Sequence, residues 1–505
     1  MIFKNKTFIR KLSTNKNAWK SVVGLEVHAQ IKSISKLFSG ASTKFSAPVN
    51  TNVCLFDSGI PGTLPVLNKR CVEAAVLTAL TLNCRVNPVS YFDRKHYFYA
   101  DLPLGYQITQ QRAPIANDGC LEFQVYTPSV HKQPYSKSVR IKQLQLEQDS
   151  GKSLHDTDRS LVDLNRAGVG LMELVFEPDL KDGEEAAALI KELVAILQRI
   201  DTCSCKMEEG ALRVDANVSI HKESEPLGTR TEIKNIGSVR GVAGAVAYEI
   251  QRQIKLKESN KPVINETRAW DASTKTTISM RDKEVLQDYR YMPETNLPPI
   301  QIAIGPVRCG SLDADELRKT IPELPEQTRQ RLRNEQSLSL EQSIILVNDA
   351  SLLKVFEDTV LENQINSKMV ANFLINEVNT LLNKKEMDST DIIGKSKYIG
   401  EILTLLEKED INRNTAKLLL EEILLGSTRS PVQIVKEKEL LQINDNEKLE
   451  KLCRDVLEEC EKAVRDYRAG KTKAFKALLG VIVSKTEGRA NMKKCTNILK
   501  KLLDK

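Results

Sequence analysis

The feature that most constrains this 505-residue chain is a change of period along it. Up to about residue 300, apolar residues recur at every second position in short runs broken by Gly and Pro, the signature of half-buried strands. From about residue 312 they recur at helical spacing and strands disappear. The expected architecture is therefore α+β, with a sheet-containing N-terminal part followed by helical parts. Length agrees, because 505 residues exceed one ordinary core.

Residues 22–30, VVGLEVHAQ, show the alternation most plainly. Val23, Leu25, Val27, Ala29 and Ile31 point one way, and Gly24, Glu26, His28 and Gln30 the other. Glu26 and His28 are then same-face neighbours, roughly 6.5–7 Å apart at Cα. A carboxylate and an imidazole at that spacing can share a divalent cation; a polar strand face turned to water is the alternative. Residues 212–220 alternate in the same way, with Arg213, Asp215, Asn217 and Ser219 on one side. Asp182-Gly183-Glu184-Glu185 is a D-x-x-E variant of the capping box before Leu189, Leu193, Ile196, Leu197 and Ile200. Asn68 likewise leads into a helical run. Further on, a helix is expected over 414–425 with Gly426 as its stop, and another from near Asp445 to roughly Gly470.

Charge divides the chain unevenly. The first twenty residues hold six Lys/Arg and no acid, with hydroxylated and apolar residues interspersed, the composition of a mitochondrial transit peptide. Residues 468–505 contain eleven Lys/Arg and two acids, so the formal +7 of the whole chain leaves −8 on residues 21–467. A basic end on an acidic body suggests a local polyanion contact, with solvated helix faces as the alternative. The ten cysteines follow no metal-ligand spacing and suit a reducing compartment. No window approaches 18 consecutive apolar residues, so no membrane insertion is expected.

Several chemistries are excluded by pattern. Gly151-Lys152-Ser153 resembles the end of a phosphate loop, but Leu146 stands where that loop needs glycine. No GxGxxG, HExxH or GxSxG occurs. What remains is a set of polar strand faces and turns: Glu26 with His28; Gln143, Gln145 and Glu147; the turn Met207-Glu208-Glu209-Gly210 beside Arg213 and Asp215; and Arg230, Glu232 and Lys234 within residues 228–235. Acids able to bind a hard cation thus lie beside bases able to hold phosphate oxygens. Phosphoryl transfer, which needs mainly positioning and charge neutralisation, is one hypothesis of several.

VVGLEVHAQIKSISKLFSGAST, NTNVCLFDSGIPGTLPVLN, FDRKHYFYADLPLGYQITQ, LEQDSGKS, VDLNRAG, MEEGALRVDANVS, GTRTEIKN, ETRAWD, SMRDKE and DYRYMPE occur in that order over residues 22–294. Together they resemble the B subunits of glutamyl-tRNA(Gln) amidotransferase, in particular their mitochondrial branch. The C-terminal part, from INRNTAKLLLEEI to DYRAGKTKAFKALLGVIVSKTEGRAN, is similar to that family's YqeY-like tail. The resemblance implies a cradle-like domain with an antiparallel sheet over 21–305, a helical domain over 306–395 and an all-α tRNA-binding tail over 396–505, after a transit peptide at 1–20. It implies ATP-dependent phosphorylation of the γ-carboxylate of Glu-tRNA(Gln), then amidation by ammonia from the glutaminase (A) subunit. The small C subunit would complete the assembly, in the mitochondrial matrix. The rival readings are a non-catalytic tRNA-binding or scaffold subunit, or a general nucleic-acid binder.

By the same resemblance, Glu26, His28, Glu147 and Glu209 are expected to hold Mg2+. Glu147, Arg213, Arg230 and Lys234 are expected to act in catalysis, with Arg213, Arg230, Lys234 and Asn235 binding ATP. Asp215 is a ligand or a supporting group; Tyr97, Tyr99 and Tyr106 shape a pocket for the nucleotide or the tRNA 3′ end. Lys471, Lys473, Lys476, Lys485 and Arg489 would touch tRNA phosphates. Two departures stand out. Bacterial relatives typically carry cysteines able to bind zinc where this chain has Ala41, and Cys54 with Asp57 in place of its partner, so no structural zinc is expected. Where many read LEED, this chain has Leu146-Glu147-Gln148-Asp149, leaving Glu147 to carry any metal role.

Overall fold

A computed structural model of the chain describes residues 19–155, 158–280, 288–305, 311–468 and 472–503. It divides into two compact units between Thr328 and Arg329. Of the expected transit peptide, residues 1–18 lie outside the described residues; Trp19 and Lys20 open the first strand, opposite Lys222 and His221.

The strands of the first unit that make up the two sheets around the site are β1 (Trp19–Gln30), β2 (Arg85–Val86), β3 (Asp93–His96), β4 (Tyr106–Thr109), β5 (Ala116–Val125), β6 (Tyr135–Gln148), β7 (Gly170–Phe176), β8 (Leu212–Lys222), β9 (Thr231–Lys234), β10 (Thr267–Asp271), β11 (Thr276–Ser279) and β12 (Met292–Pro293). Three helices matter for the site: α1 (Lys69–Thr81), α2 (Gly183–Arg199) and α3 (Val239–Glu258). Nine strands form one sheet in the order β11-β10-β9-β8-β1-β7-β6-β5-β2. The expected antiparallel pairing holds except between β9 and β10, which run parallel. The chain crosses from one to the other through α3, and a helical crossover is what parallel neighbours require.

Local chemistry explains where these elements start. Asn68 caps α1 by accepting from the Arg70 N–H, and Asp182 caps α2 by accepting from the Glu185 N–H. On β1 the alternation buries Val23, Leu25, Val27 and Ala29 completely, in one core with the apolar faces of α1 and α2. Each of the Val and Leu side chains contributes about 1.5–3 kcal/mol by leaving water. The opposite face of the sheet is polar. Part of it is covered by a second, three-stranded sheet in the order β12-β3-β4, whose Gln107 and Thr109 bond to β6. Polar side chains between the two sheets are therefore buried.

The crossing of α2 over α3 depends on one small residue. A Cβ on Gly183 would lie 2.2 Å from the Ala243 carbonyl oxygen, inside α3 where the backbone has no room to yield. Gly183→Val is expected to destabilise the first unit by about 1–3 kcal/mol, or to shift the two helices apart. Chemical denaturation followed by circular dichroism checks this.

The second unit is helical and has two apolar cores, one from Leu332 to Val435 and one from Leu449 to Leu503. Among its later helices are α4 (Arg413–Leu424), α5 (Asn446–Glu459), α6 (Glu461–Arg468), α7 (Thr472–Lys485) and α8 (Met492–Leu503). Gly426 follows α4 with φ +96, in the region that favours glycine. The single helix expected from Asp445 to about Gly470 is two, α5 and α6, interrupted at Cys460.

Candidate metal and phosphate site

Strand register builds the site. His28 on β1 lies opposite Glu173 on β7 and opposite Arg213 on β8, and Glu173 in turn faces Gln145 on β6. Directly opposed residues share a sheet face, so Arg213, His28, Glu173 and Gln145 form a polar row across four strands. Glu147 joins that face two residues beyond Gln145. A second row runs beside it, where Glu26 opposes Asp215.

Three groups converge. His28 Nε2 is 3.8 Å from Glu173 Oε1 and 4.0 Å from Glu147 Oε1, and ligand atoms of all three lie within 4.8 Å of one another. The carboxylates are fixed from outside. Glu147 accepts from Gln107 Nε2 at 2.5 Å and from Thr109 Oγ1 at 3.1 Å, while Glu173 accepts from Gln145 Nε2 at 2.6 Å. Two carboxylates this close and this buried repel each other when both are ionised. Burial, then the neighbouring Glu147 charge, pushes the Glu173 carboxyl well above the ordinary carboxylate range. Burial also opposes ionisation of Glu147, but His28 and Lys95 outweigh it and hold that group below its usual value. A divalent cation between them would relieve the repulsion, and an imidazole with two carboxylates is a suitable donor set for a hard ion.

Lys95 on β3 supplies positive charge that acts on both carboxylates. Its ammonium sits 4.7 Å from the Tyr289 ring centre and 5.9 Å from that of Tyr97. Burial works against the charge, but Glu147 and the surrounding groups hold its pKa above the ordinary lysine value. Tyr97 also meets Tyr99 edge-on, and Tyr106 lies under Arg94 at 4.4 Å.

The expected phosphate ligands are placed unequally. Arg213 Nη2 is 2.9 Å from Asp149 Oδ1, yet its buried Nε and Nη2 make no aligned hydrogen bond among the described residues. Buried donors left in that state are costly, and an anion at this point would satisfy them. Lys234 is held between Asp215 and Glu232, at 3.0 Å from the latter. Burial opposes its charge, but those two carboxylates raise its pKa above the usual value. Arg230 precedes β9 and is exposed, and Asn235 follows it, exposed and left-handed at φ 61.

The structure thus brings His28 and Glu147 together and adds Glu173, which sequence reasoning missed. Glu26 is nearby but bonded to Asn217 Nδ2 at 3.0 Å. Glu209 sits in the turn before β8, paired with Lys206 at 2.8 Å, and is not one of the three converging groups. Lys95 and Tyr289 were also missed, although both lie in quoted motifs. The signal for Glu173 was a single acid within the otherwise apolar LMELVF.

In the tail, Lys471 lies outside the described residues. Lys473 and Lys476 are exposed on α7. Lys485 pairs with Glu459, and Arg489 donates to the Glu439 carbonyl at 2.9 Å.

Known proteins resemble this chain along most of its length. Residues 21–306 match the domain family described as "GatB/GatE catalytic domain", and residues 354–503 match one described as "GatB domain". The chain is 54% identical to the mitochondrial glutamyl-tRNA(Gln) amidotransferase B subunit of Aedes aegypti, over 98% of this chain and 95% of that protein. It is 47% identical to the protein of the same name from Homo sapiens, over 98% and 90%. It is 42% identical to the aspartyl/glutamyl-tRNA(Asn/Gln) amidotransferase B subunit of Rickettsia typhi, over 97% and 99%.

Proposed function

The chain belongs to the family of glutamyl-tRNA(Gln) amidotransferase B subunits, and from that premise we propose that it phosphorylates the γ-carboxylate of Glu-tRNA(Gln) with ATP and directs ammonia onto the acyl phosphate, giving Gln-tRNA(Gln) for mitochondrial translation. It works within a multi-subunit ligase in the mitochondrial matrix, where the glutaminase (A) subunit supplies ammonia and the small C subunit joins the same assembly. No helix among the described residues is long and apolar enough to cross a membrane.

One observation carries this reading: the half-buried His28–Glu147–Glu173 cluster shares a sheet face with Arg213, whose buried Nε and Nη2 make no aligned hydrogen bond among the described residues. Mg2+ fits the cluster, and His28, Glu147 and Glu173 would hold it; bound there, it neutralises phosphate charge as the phosphoryl group moves. Arg213, oriented by its ion pair with Asp149, takes phosphate oxygens through its guanidinium, and Lys234 acts as a point charge kept in place by Asp215 and Glu232. Glu26, held by Asn217, adds negative charge beside Glu173. Arg230 and Asn235, both exposed, hold the outer end of the nucleotide, and Glu209 belongs to the rim. Lys95, over the Tyr289 ring, balances the two carboxylates. ADP release that requires charged tRNA(Gln) checks the reading; ADP release at the same rate without it contradicts the reading.

Zinc does not fit. Near Cys54, Asp57 already accepts from Lys36 Nζ at 3.1 Å, from Ser39 Oγ at 3.1 Å and from the Cys54 N–H at 3.0 Å. One thiol beside a carboxylate occupied by an ammonium is no tetrahedral thiolate site. Elemental analysis of purified protein should find well under one equivalent of zinc. About one equivalent, lost in Cys54→Ala, would refute this.

For the tail, Lys473 and Lys476 offer phosphate contacts, which supply affinity and little base specificity. Replacing both by Gln should lower the dependence of log K on log salt by roughly 1–2 for tRNA binding. An unchanged slope would assign these lysines to solvation alone.

A further inference from the structure

Cys203 and Cys205 follow α2, one on each side of Ser204, and both are buried, at 2% and 7% exposure. Ser204 and Lys206 beside them are exposed, so the pair lies just beneath the surface. Two residues apart, their Cα atoms can separate by at most about 7 Å in a fully extended chain. Here the chain is turned: Cys205 has φ 59, a left-handed conformation uncommon for a side chain of this kind. The turn brings the Cys205 N–H to Cys203 Sγ, at 3.2 Å, with Cys205 Sγ 3.8 Å from the Cys203 carbonyl oxygen. A disulfide spans about 4.4–6.8 Å between Cα atoms, which a turned Cys-Ser-Cys segment satisfies.

The two sulfurs are unlike. A sulfur that accepts hydrogen bonds is favoured as thiolate, the reactive form. Cys203 accepts from the Cys205 N–H, and a hydrogen bond from the Cys205 thiol holds its pKa below the ordinary thiol value despite burial. Cys205 moves upward, because its proton is the one held against Cys203 and because it is buried. Enclosure alone has the opposite effect to the one at Cys203: it pushes the thiols of Cys71 and Cys84 up to about 11 and about 12. Those two behave as core filling, and Cys203 does not.

From this pairing we infer that Cys203 and Cys205 form a peroxide-sensitive dithiol, which closes to a reversible disulfide and slows the enzyme. The Cys203 thiolate attacks one peroxide oxygen and the O–O bond breaks. Cys203 becomes a sulfenic acid, and the departing hydroxide takes a proton to form water. The Cys205 sulfur then displaces the sulfenic hydroxyl, the S–S bond forms, and the Cys205 proton leaves in a second water. The dithiol loses two electrons, and one hydrogen peroxide is reduced to two waters. A ring closed across a single residue is strained, and strained disulfides are the readily reduced ones.

The bridge lies at the root of the turn that carries Glu209. Cys203 Sγ is 3.4 Å from the Ala211 carbonyl oxygen, which also accepts from Gln30 N at the end of β1, at 2.8 Å. Ala211 N donates to Lys206 O at 2.9 Å, and Arg213 follows two residues on, along β8. Closing the disulfide removes the Cys203 thiol from that carbonyl and alters the entry to β8. The effect on rate rests on the proposed function; the disulfide does not.

The test treats the reconstituted three-subunit enzyme with hydrogen peroxide, alkylates it in denaturant and maps the peptides by mass. A Cys203–Cys205 bridge should form and reopen in dithiothreitol, while Cys453 and Cys495, fully buried between α5 and α8, stay reduced. Amidation should fall about tenfold on oxidation and recover with dithiothreitol. Cys203→Ser should amidate at the wild-type rate and ignore peroxide. Cys205→Ser should hold the sulfenic acid on Cys203, where dimedone labels it, and Cys203→Ser should give no such label. The inference is overturned if both thiols stay free after peroxide, if Cys453 and Cys495 bridge instead, if dimedone labels Cys203→Ser equally, or if the bridged enzyme amidates at the reduced enzyme's rate. Should the reduced enzyme fail to amidate at all, the proposed function fails, and the mapped peptides still decide the disulfide.

Discussion

Glu173→Gln in the three-subunit enzyme should lower phosphorylation of the glutamyl γ-carboxylate on the order of 10²-fold or more, with affinity for Glu-tRNA(Gln) within about twofold of wild type. The amide keeps the shape of the side chain and a partner for Gln145, but removes a ligand oxygen and a negative charge. Stability should hold or rise slightly, because Glu173 already favours its neutral form beside Glu147. Glu147→Gln should lose activity to the same degree and behave differently in the fold. Glu147 is the ionised partner, with two buried donors and the Lys95 charge turned toward it. Its neutralisation should therefore destabilise the first unit by about 1–3 kcal/mol. Single-turnover transfer from labelled ATP, run beside denaturant melts, separates the two effects. A purely structural pair would show no loss of transfer in Glu173→Gln.

Lys36→Met should destabilise the first unit by about 3–5 kcal/mol, a fall of roughly 10 °C in melting temperature. Lys36 and Asp57 are both fully enclosed, and Lys36 Nζ also reaches the Leu164 carbonyl at 3.3 Å. Removing the ammonium leaves a buried carboxylate whose Oδ1 already has no hydrogen-bond partner among the described residues. The double variant Lys36→Met/Asp57→Leu should recover most of the loss, because a pair of apolar groups leaves no charge uncompensated. A single variant that melts with wild type would mean that the pair is solvated and contributes nothing.

The fold was legible where the pattern is local. Alternation on β1 predicted which side chains enter the core, and the caps at Asn68 and Asp182 fell where side chains with an acceptor precede an apolar run. The break at Cys460 was not legible, because Glu459-Cys460-Glu461 contains no glycine or proline to signal it. Nor was the short reach of β9. Gly228 packs against the Ile220 carbonyl, where a Cβ would stand 2.1 Å away, and pairing begins only at Thr231, so Arg230 stays outside the sheet.

The site was half legible for a related reason. His28 could be paired with a neighbour two residues away, but its partner across the sheet depends on register between β1 and β7, which are 140 residues apart in the chain and paired only in the fold. That register introduces Glu173. It also leaves Glu209 outside, because the turn that carries it is closed by Lys206. The unsatisfied donors of Arg213 are likewise a property of its buried surroundings and not of its neighbours in sequence.

The central claim is that this sheet face makes an acyl phosphate on charged tRNA. Hydroxylamine trapping in the three-subunit enzyme without glutamine tests it most directly. Given ATP and Glu-tRNA(Gln), wild type should release ADP and yield tRNA-bound γ-glutamyl hydroxamate in equal amounts, and Glu173→Gln should yield neither above background. Hydroxamate formed equally by that variant, or amidation without ATP cleavage, would contradict the account.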